Sequence, residues 1–96
     1  MKKETQNLPY SAVNLSQVEA MYLRNVTYLP DVLAQVIESG GAIEANRIVV
    51  LITGATSELF RTVFTERLAK IGFDSSYELT SEGKMLEALI DRFYVI

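Results

Sequence analysis

Ile48-Val49-Val50-Leu51-Ile52, followed by Thr53-Gly54, is the stretch whose reading decides the fold. The run is short, continuous and rich in β-branched residues, which intrinsic preference would make a buried strand. As a helix it would have to be buried nearly all round. The helix is the preferred reading, because a lone central strand needs neighbours and the rest of the chain offers only Tyr77 to Leu79 and the Phe93 to Ile96 tail.

Working outward, the chain reads as a succession of helices. Upstream, Ser16-x-x-Glu19 is a capping box, in which each side chain satisfies a backbone donor at a helix start. The helix it opens is expected to bury Val18, Met21 and Tyr22 and to finish near Asn25. Pro30 suits a first helical position, and Asp31 complements the positive end of the helix dipole. Leu29, Leu33, Val36 and Ile37 then share one face, and Gly40-Gly41 stops the helix. Downstream, Glu58 to Ile71 carries the stripe Leu59, Phe60, Val63, Phe64, Leu68 and Ile71, with Thr56 or Ser57 as cap and Gly72 as terminator. Its other face shows Glu58, Arg61, Thr62, Thr65 and Glu66. Thr80 caps a last helix that buries Met85, Leu86, Leu89, Ile90 and Phe93, with Gly83 in its first turn.

The 96 residues, 49% of them hydrophobic, suffice for one core and exclude a second. With no Cys and no His the chain lacks thiol nucleophiles, disulfides, the usual zinc ligands and the usual general base near neutral pH. No enzyme, cofactor or metal is therefore expected. Met1-Lys2-Lys3 leads into Glu4-Thr5-Gln6-Asn7 and not into an apolar signal core, and Ile48 to Ile52 is far shorter than the roughly 20 residues that cross a bilayer. A cytoplasmic location without membrane contact is expected. Met1 to Val13 contain Pro9 and no periodicity, and read as a flexible arm, ordered only if something ties it down.

Val49-Val50-Leu51-Ile52-Thr53-Gly54-Ala55-Thr56-Ser57 resembles the nucleotide-binding turn of the short-chain dehydrogenases. That turn needs further glycines where Glu58, Leu59 and Phe60 stand, and Glu58 would place a carboxylate beside the phosphates. A second likeness spans more of the chain. Val50 and Gly54 have the four-residue spacing of a helix-turn-helix, Val49, Ala55, Phe60 and Val63 fall where its two helices need apolar contacts, and Arg67-Leu68-Ala69-Lys70-Ile71-Gly72-Phe73 looks like the end of a recognition helix. Tyr77-Glu78-Leu79-Thr80-Ser81-Glu82-Gly83-Lys84 looks like the strand returning from a wing into a Leu-Thr-x-x-Gly helix start. From Leu29 to Phe93 the chain thus resembles winged helix-turn-helix regulators of the MarR, PadR and HxlR kinds.

The resemblance implies a mainly α fold with a small β wing (α+β), as a single winged-helix-like domain over 14–96. It implies a DNA-binding transcriptional regulator that acts as a homodimer through its first and last helices, with the helix at about 57–71 in the major groove of double-stranded DNA. Ser57 at the helix amino end, Arg61, Thr62 and Thr65 at base edges or phosphates, and Arg67 and Lys70 at phosphates would be its contacts. Two departures stand against it: the wing Asp74-Ser75-Ser76 has no cation, and Glu58 and Glu66 repel phosphate. The net charge of -3 weighs the same way. Between Arg47 and Lys70 four cations face two acids, whereas the region 74–91 carries five acids against Lys84. The alternative is accordingly a small acidic protein-interaction module, an immunity protein, antitoxin or adaptor, that uses region 74–91 to meet a basic partner.

Overall fold

A computed structural model describes residues 10–39, 41–44 and 47–94. The order is β1 (Tyr10–Ser16), α1 (Gln17–Asn25), α2 (Asp31–Glu38), β2 (Gly41–Glu44), β3 (Arg47–Thr53), α3 (Gly54–Ile71) and α4 (Ser81–Arg92). The architecture is α+β and mostly helical. The three strands form one antiparallel sheet in the order β1-β3-β2.

Ile48 to Ile52, expected to coil, is the central strand of that sheet. The neighbour that settles its conformation is Tyr10 to Ser16, whose first four residues belong to the expected arm. Val13 pairs with Val50, Leu15 with Ile48 and Ser11 with Ile52. Alternation then sorts the side chains. Val13, Leu15, Val50 and Ile52 are buried on the helix-covered face, while Ala12, Asn14 and Leu51 are exposed on the other. Residues 1–9 of the expected arm, Gly40 of the expected stop, and 95–96 of the apolar tail lie outside the described residues.

Both long strands pass directly into helices, each through a hydroxyl residue in extended conformation. Ser16 ends β1 and caps α1; its Oγ accepts from the Glu19 amide at 3.1 Å while a Glu19 carboxylate oxygen accepts from the Ser16 amide at 2.9 Å, which completes the expected capping box. Thr53 ends β3 and caps α3, accepting from the Thr56 amide at 3.1 Å. The cap of α3 is therefore Thr53 and not Thr56 or Ser57, and Gly54 is the first helical residue rather than a turn between helices.

The continuous β1–α1 junction also fixes the phase of α1. Ala20, Leu23 and Glu19 turn inward, and Val18 and Met21, expected in the core, stand 65% and 54% exposed. Glu19 is tolerated inside because Arg92 Nε donates to both of its oxygens, at 3.1 and 3.2 Å. At α2, Leu29, Leu33 and Ile37 are buried as expected and Val36 is half-buried, while Pro30, expected at the first helical position, is the N-cap, its carbonyl accepting from the amides of Leu33 and Ala34.

α3 and α4 pack as a hairpin of helices around Phe60, Phe64 and Phe93, whose ring centroids lie 4.5 to 5.9 Å apart. Val63, Leu68 and Ile71 are half-buried beside them, and Leu59, expected in the same stripe, is exposed. Gly72 ends α3 as expected. Thr80 caps α4, accepting from the Gly83 amide at 2.9 Å, and its own amide donates to the Gly72 carbonyl at 2.8 Å. Gly83 rests against that carbonyl so closely that a Cβ would stand 2.2 Å from the oxygen. The strand expected at Tyr77 to Leu79 is reduced to one antiparallel bridge, Phe73 with Leu79. Among the described residues no helix is long and apolar enough to cross a membrane.

Candidate functional site on the exposed face of α3

The six residues expected to meet DNA all lie on α3, but the helix does not bring them together. Ser57 is fully buried, and its Oγ donates to the Phe93 carbonyl. It sits in the second turn, since the helix begins at Gly54, so it is neither a cap nor at an exposed amino end. Its hydroxyl joins α3 to the end of α4, a position no anion reaches.

Arg61, Thr62 and Thr65 line one shallow depression together with Glu58 and Glu66. Thr62, Thr65, Glu58 and Glu66 are exposed there, and Arg61 is half-buried. Its guanidinium lies over the Tyr94 ring, 4.6 Å from the centroid. Arg67 and Lys70 line a second depression of about 260 Å³ with Tyr28, Pro30, Val63 and Glu66. Lys70 projects into solvent, while the Arg67 guanidinium lies over the Tyr28 ring, 5.0 Å from the centroid, with its Nε 3.6 Å from a Glu82 carboxylate oxygen. Cation over ring is an electrostatic attraction to the ring quadrupole, worth about 0.5–1 kcal/mol at such half-open sites. Within the described residues neither arginine Nε makes a hydrogen bond.

Arg67 belongs to a polar cluster that joins four segments. Glu82 can only accept, so the Tyr22 phenol donates to it at 2.6 Å. Tyr22 must then accept from the Tyr28 phenol, 2.7 Å away. The direction Tyr28 to Tyr22 to Glu82 follows from the carboxylate alone. Burial, reinforced by the hydrogen bond to Glu82, holds the Tyr22 phenol well above its ordinary pKa, and burial likewise raises Tyr28. The cluster binds α1, the α1–α2 connection, α3 and α4 to one another. Sequence alone gave no sign of it, since Tyr22 and Glu82 are 60 residues apart.

Of the acids in region 74–91, Glu82 is thus engaged internally, while Asp74, Glu78, Glu87 and Asp91 are exposed, with Lys84 also exposed. The described residues contain no group of three or more acidic side chains placed to hold a metal ion. What the surface offers is a helix face whose arginines lie on the chain's own tyrosines, beside an acidic region open to solvent. Comparison with protein-family models, with curated proteins and with solved structures finds no match to this chain.

Proposed function

We propose that this chain is a small acidic protein-interaction module, of the immunity-protein, antitoxin or adaptor kind, carried on a winged-helix-like core that does not read DNA. The observation that carries the reading is the placement of both arginines of α3 over tyrosine rings of the same chain. A DNA reader must deliver cations outward, because neutralised phosphates supply most of its affinity. Here the exposed polar side chains of α3 are Glu58, Thr62, Thr65, Glu66 and Lys70, with one cation among them.

The winged-helix element of the proposal rests on a different part of the chain from the motif at Val50 and Gly54. β1, α1, α2, β2 and β3, with β3 central in the sheet, follow one another in the order that a winged helix-turn-helix uses. α2 would then stand in place of the recognition helix. Its exposed positions are Asp31, Val32, Gln35 and Glu38, with no cation among them. A helix that offers two carboxylates and no guanidinium or ammonium group suits a protein surface better than a phosphate backbone.

The test is a fluorescence-anisotropy titration against random-sequence duplex DNA at two salt concentrations. The proposal expects no binding at either. Binding at low salt that disappears in the combined Arg61→Ala and Arg67→Ala variant would overturn it in favour of the regulator.

A further inference from the structure

The turn between α3 and α4 is built more rigidly than a connection requires. Phe73 and Leu79 form an antiparallel bridge, the Asp74 amide donates to the Glu78 carbonyl at 2.8 Å, and the Tyr77 amide donates to the Asp74 carbonyl at 2.9 Å. Asp74 Oδ1 accepts from the amides of Ser76 and Glu78, at 2.8 and 3.1 Å. This closed turn places Tyr77 at φ 63°, and Tyr77 is the one non-glycine residue with positive φ among the described residues. Left-handed backbone suits Gly or Asn and is strained for a bulky aromatic. The hydrogen bonds of the turn hold that conformation, and packing of the ring adds nothing to them, since Tyr77 is 87% exposed. Single exposed apolar residues are ordinary. A strained aromatic at the tip of a rigid turn is not, and strain of this kind is characteristic of sites selected for something other than folding.

We propose that the turn Phe73 to Leu79 is the docking element of the module, and that Tyr77 inserts into a Lys- or Arg-lined pocket on a basic protein. The proposal rests on the interaction-module reading and names its contact surface. Charge selects the occupant: Asp74 and Glu78 are exposed within the turn, Glu87 and Asp91 are exposed on the following helix against Lys84 and Arg92, and an acidic surface attracts a cationic protein and repels nucleic acid. Shape agrees. Tyrosine is among the side chains that most often dominate protein interfaces, because it gives a large contact with few rotors and a polar tip. Its face accepts a guanidinium or ammonium group directly. Phe73, 46% exposed at the base of the turn, extends the contact. A turn already closed by its own hydrogen bonds loses little freedom on binding.

The experiment is an amide chemical-shift titration of the isotope-labelled full chain with a deca-arginine peptide at low salt. Saturable shifts centred on 73–79 are expected, with affinity lowered about tenfold or more in Tyr77→Ala and largely kept in Tyr77→Phe. Tyr77→Asn, which suits the left-handed backbone, serves as the folding control: it should keep or raise Tm and still lose the peptide. Shifts confined to Glu87 and Asp91, or affinity unchanged in Tyr77→Ala and Tyr77→Asn, would overturn the docking turn while leaving the module reading in place. No shifts with the peptide, together with shifts on α3 produced by duplex DNA, would overturn both.

Discussion

Gly83→Ala should be among the most costly single-methyl additions this chain can receive. The new Cβ would lie 2.2 Å from the Gly72 carbonyl oxygen, 2.9 Å from its carbonyl carbon and 3.0 Å from its Cα. All three are backbone atoms, so no rotamer change relieves the clash, and α4 must retreat from the end of α3 by about 1 Å. Overpacking of this kind costs about 1–3 kcal/mol. The same retreat stretches the hydrogen bond from the Thr80 amide to the Gly72 carbonyl, now 2.8 Å, for about 1 kcal/mol more. Against this, Ala is the better helix former by at most about 1 kcal/mol, and by less in a first turn. The balance is a loss of about 2 kcal/mol, a fall in Tm of roughly 8–16 °C for a domain this small. Urea unfolding followed by circular dichroism measures it, with Gly54→Ala as the matched control. Gly54 likewise lies in the first turn of a helix, but nothing lies within 4 Å of its Cβ position, so that substitution should be neutral or stabilising. If the two variants have equal midpoints, the close approach of α3 and α4 is not what Gly83 serves.

Other substitutions probe the remaining supports. Glu19→Ala removes both the return half of the capping box and the partner of Arg92, and should cost about 1–2 kcal/mol in urea unfolding; a double-mutant cycle with Arg92→Ala should assign less than about 1 kcal/mol to the pair, because the Arg92 side chain is 49% exposed. The raised Tyr22 phenol means that the native state holds a proton which the unfolded chain releases near pH 10, its ordinary value. Its contribution to stability is therefore full below pH 10 and declines as pH rises further; urea midpoints between pH 8 and 11 should fall, and less steeply in Tyr22→Phe than in the wild type. Tyr77→Asn relieves left-handed strain at a side chain that buries almost nothing, and should raise stability by about 0.5–1 kcal/mol by the same assay; a lower midpoint would mean that the ring supports the fold.

Features carried by neighbouring residues could be read from the sequence. The Ser16–Glu19 box, the Phe60 and Phe64 stripe, the Gly72 end and the Thr80 cap each depend on contacts within four residues, and each is present, while Pro30 stands one residue ahead of the first helical position. Ile48 to Ile52 went the other way, because its conformation is decided by Val13 and Leu15, more than 30 residues earlier. The signal was there: Val13 and Leu15 alternate with Ala12 and Asn14 immediately before a helix cap, the mark of a half-buried strand. The same distance effect governs the α3 face. Exposure of Thr62 and Thr65 followed from helical period, whereas the stacking of Arg61 on Tyr94 and of Arg67 on Tyr28 and the burial of Ser57 against Phe93 depend on residues from other segments.

Magnitudes decide whether those stacked arginines could still be recruited by a phosphate backbone. Drawing Arg67 away from Tyr28 forfeits about 0.5–1 kcal/mol of cation–ring attraction, and parting it from Glu82 forfeits a half-exposed ion pair worth up to about 1 kcal/mol. A surface phosphate returns an ion pair of the same class, so the exchange is close to neutral. Arg61 gives up the Tyr94 ring on the same terms. Two cations with little or no net gain, on a helix that also presents Glu58 and Glu66, leave Lys70 as the one uncommitted cation among the described residues of that face. A single ammonium group releases about one counterion, far short of the 6–10 phosphate contacts of an ordinary DNA reader. Asp74, Glu78, Glu87 and Asp91 meanwhile stay exposed, with Lys84 and Arg92 as the exposed cations of α4. The internal arginine–tyrosine contacts thus withdraw positive charge from the surface while its acids stay outward, which is the charge pattern that the proposed cationic partner requires.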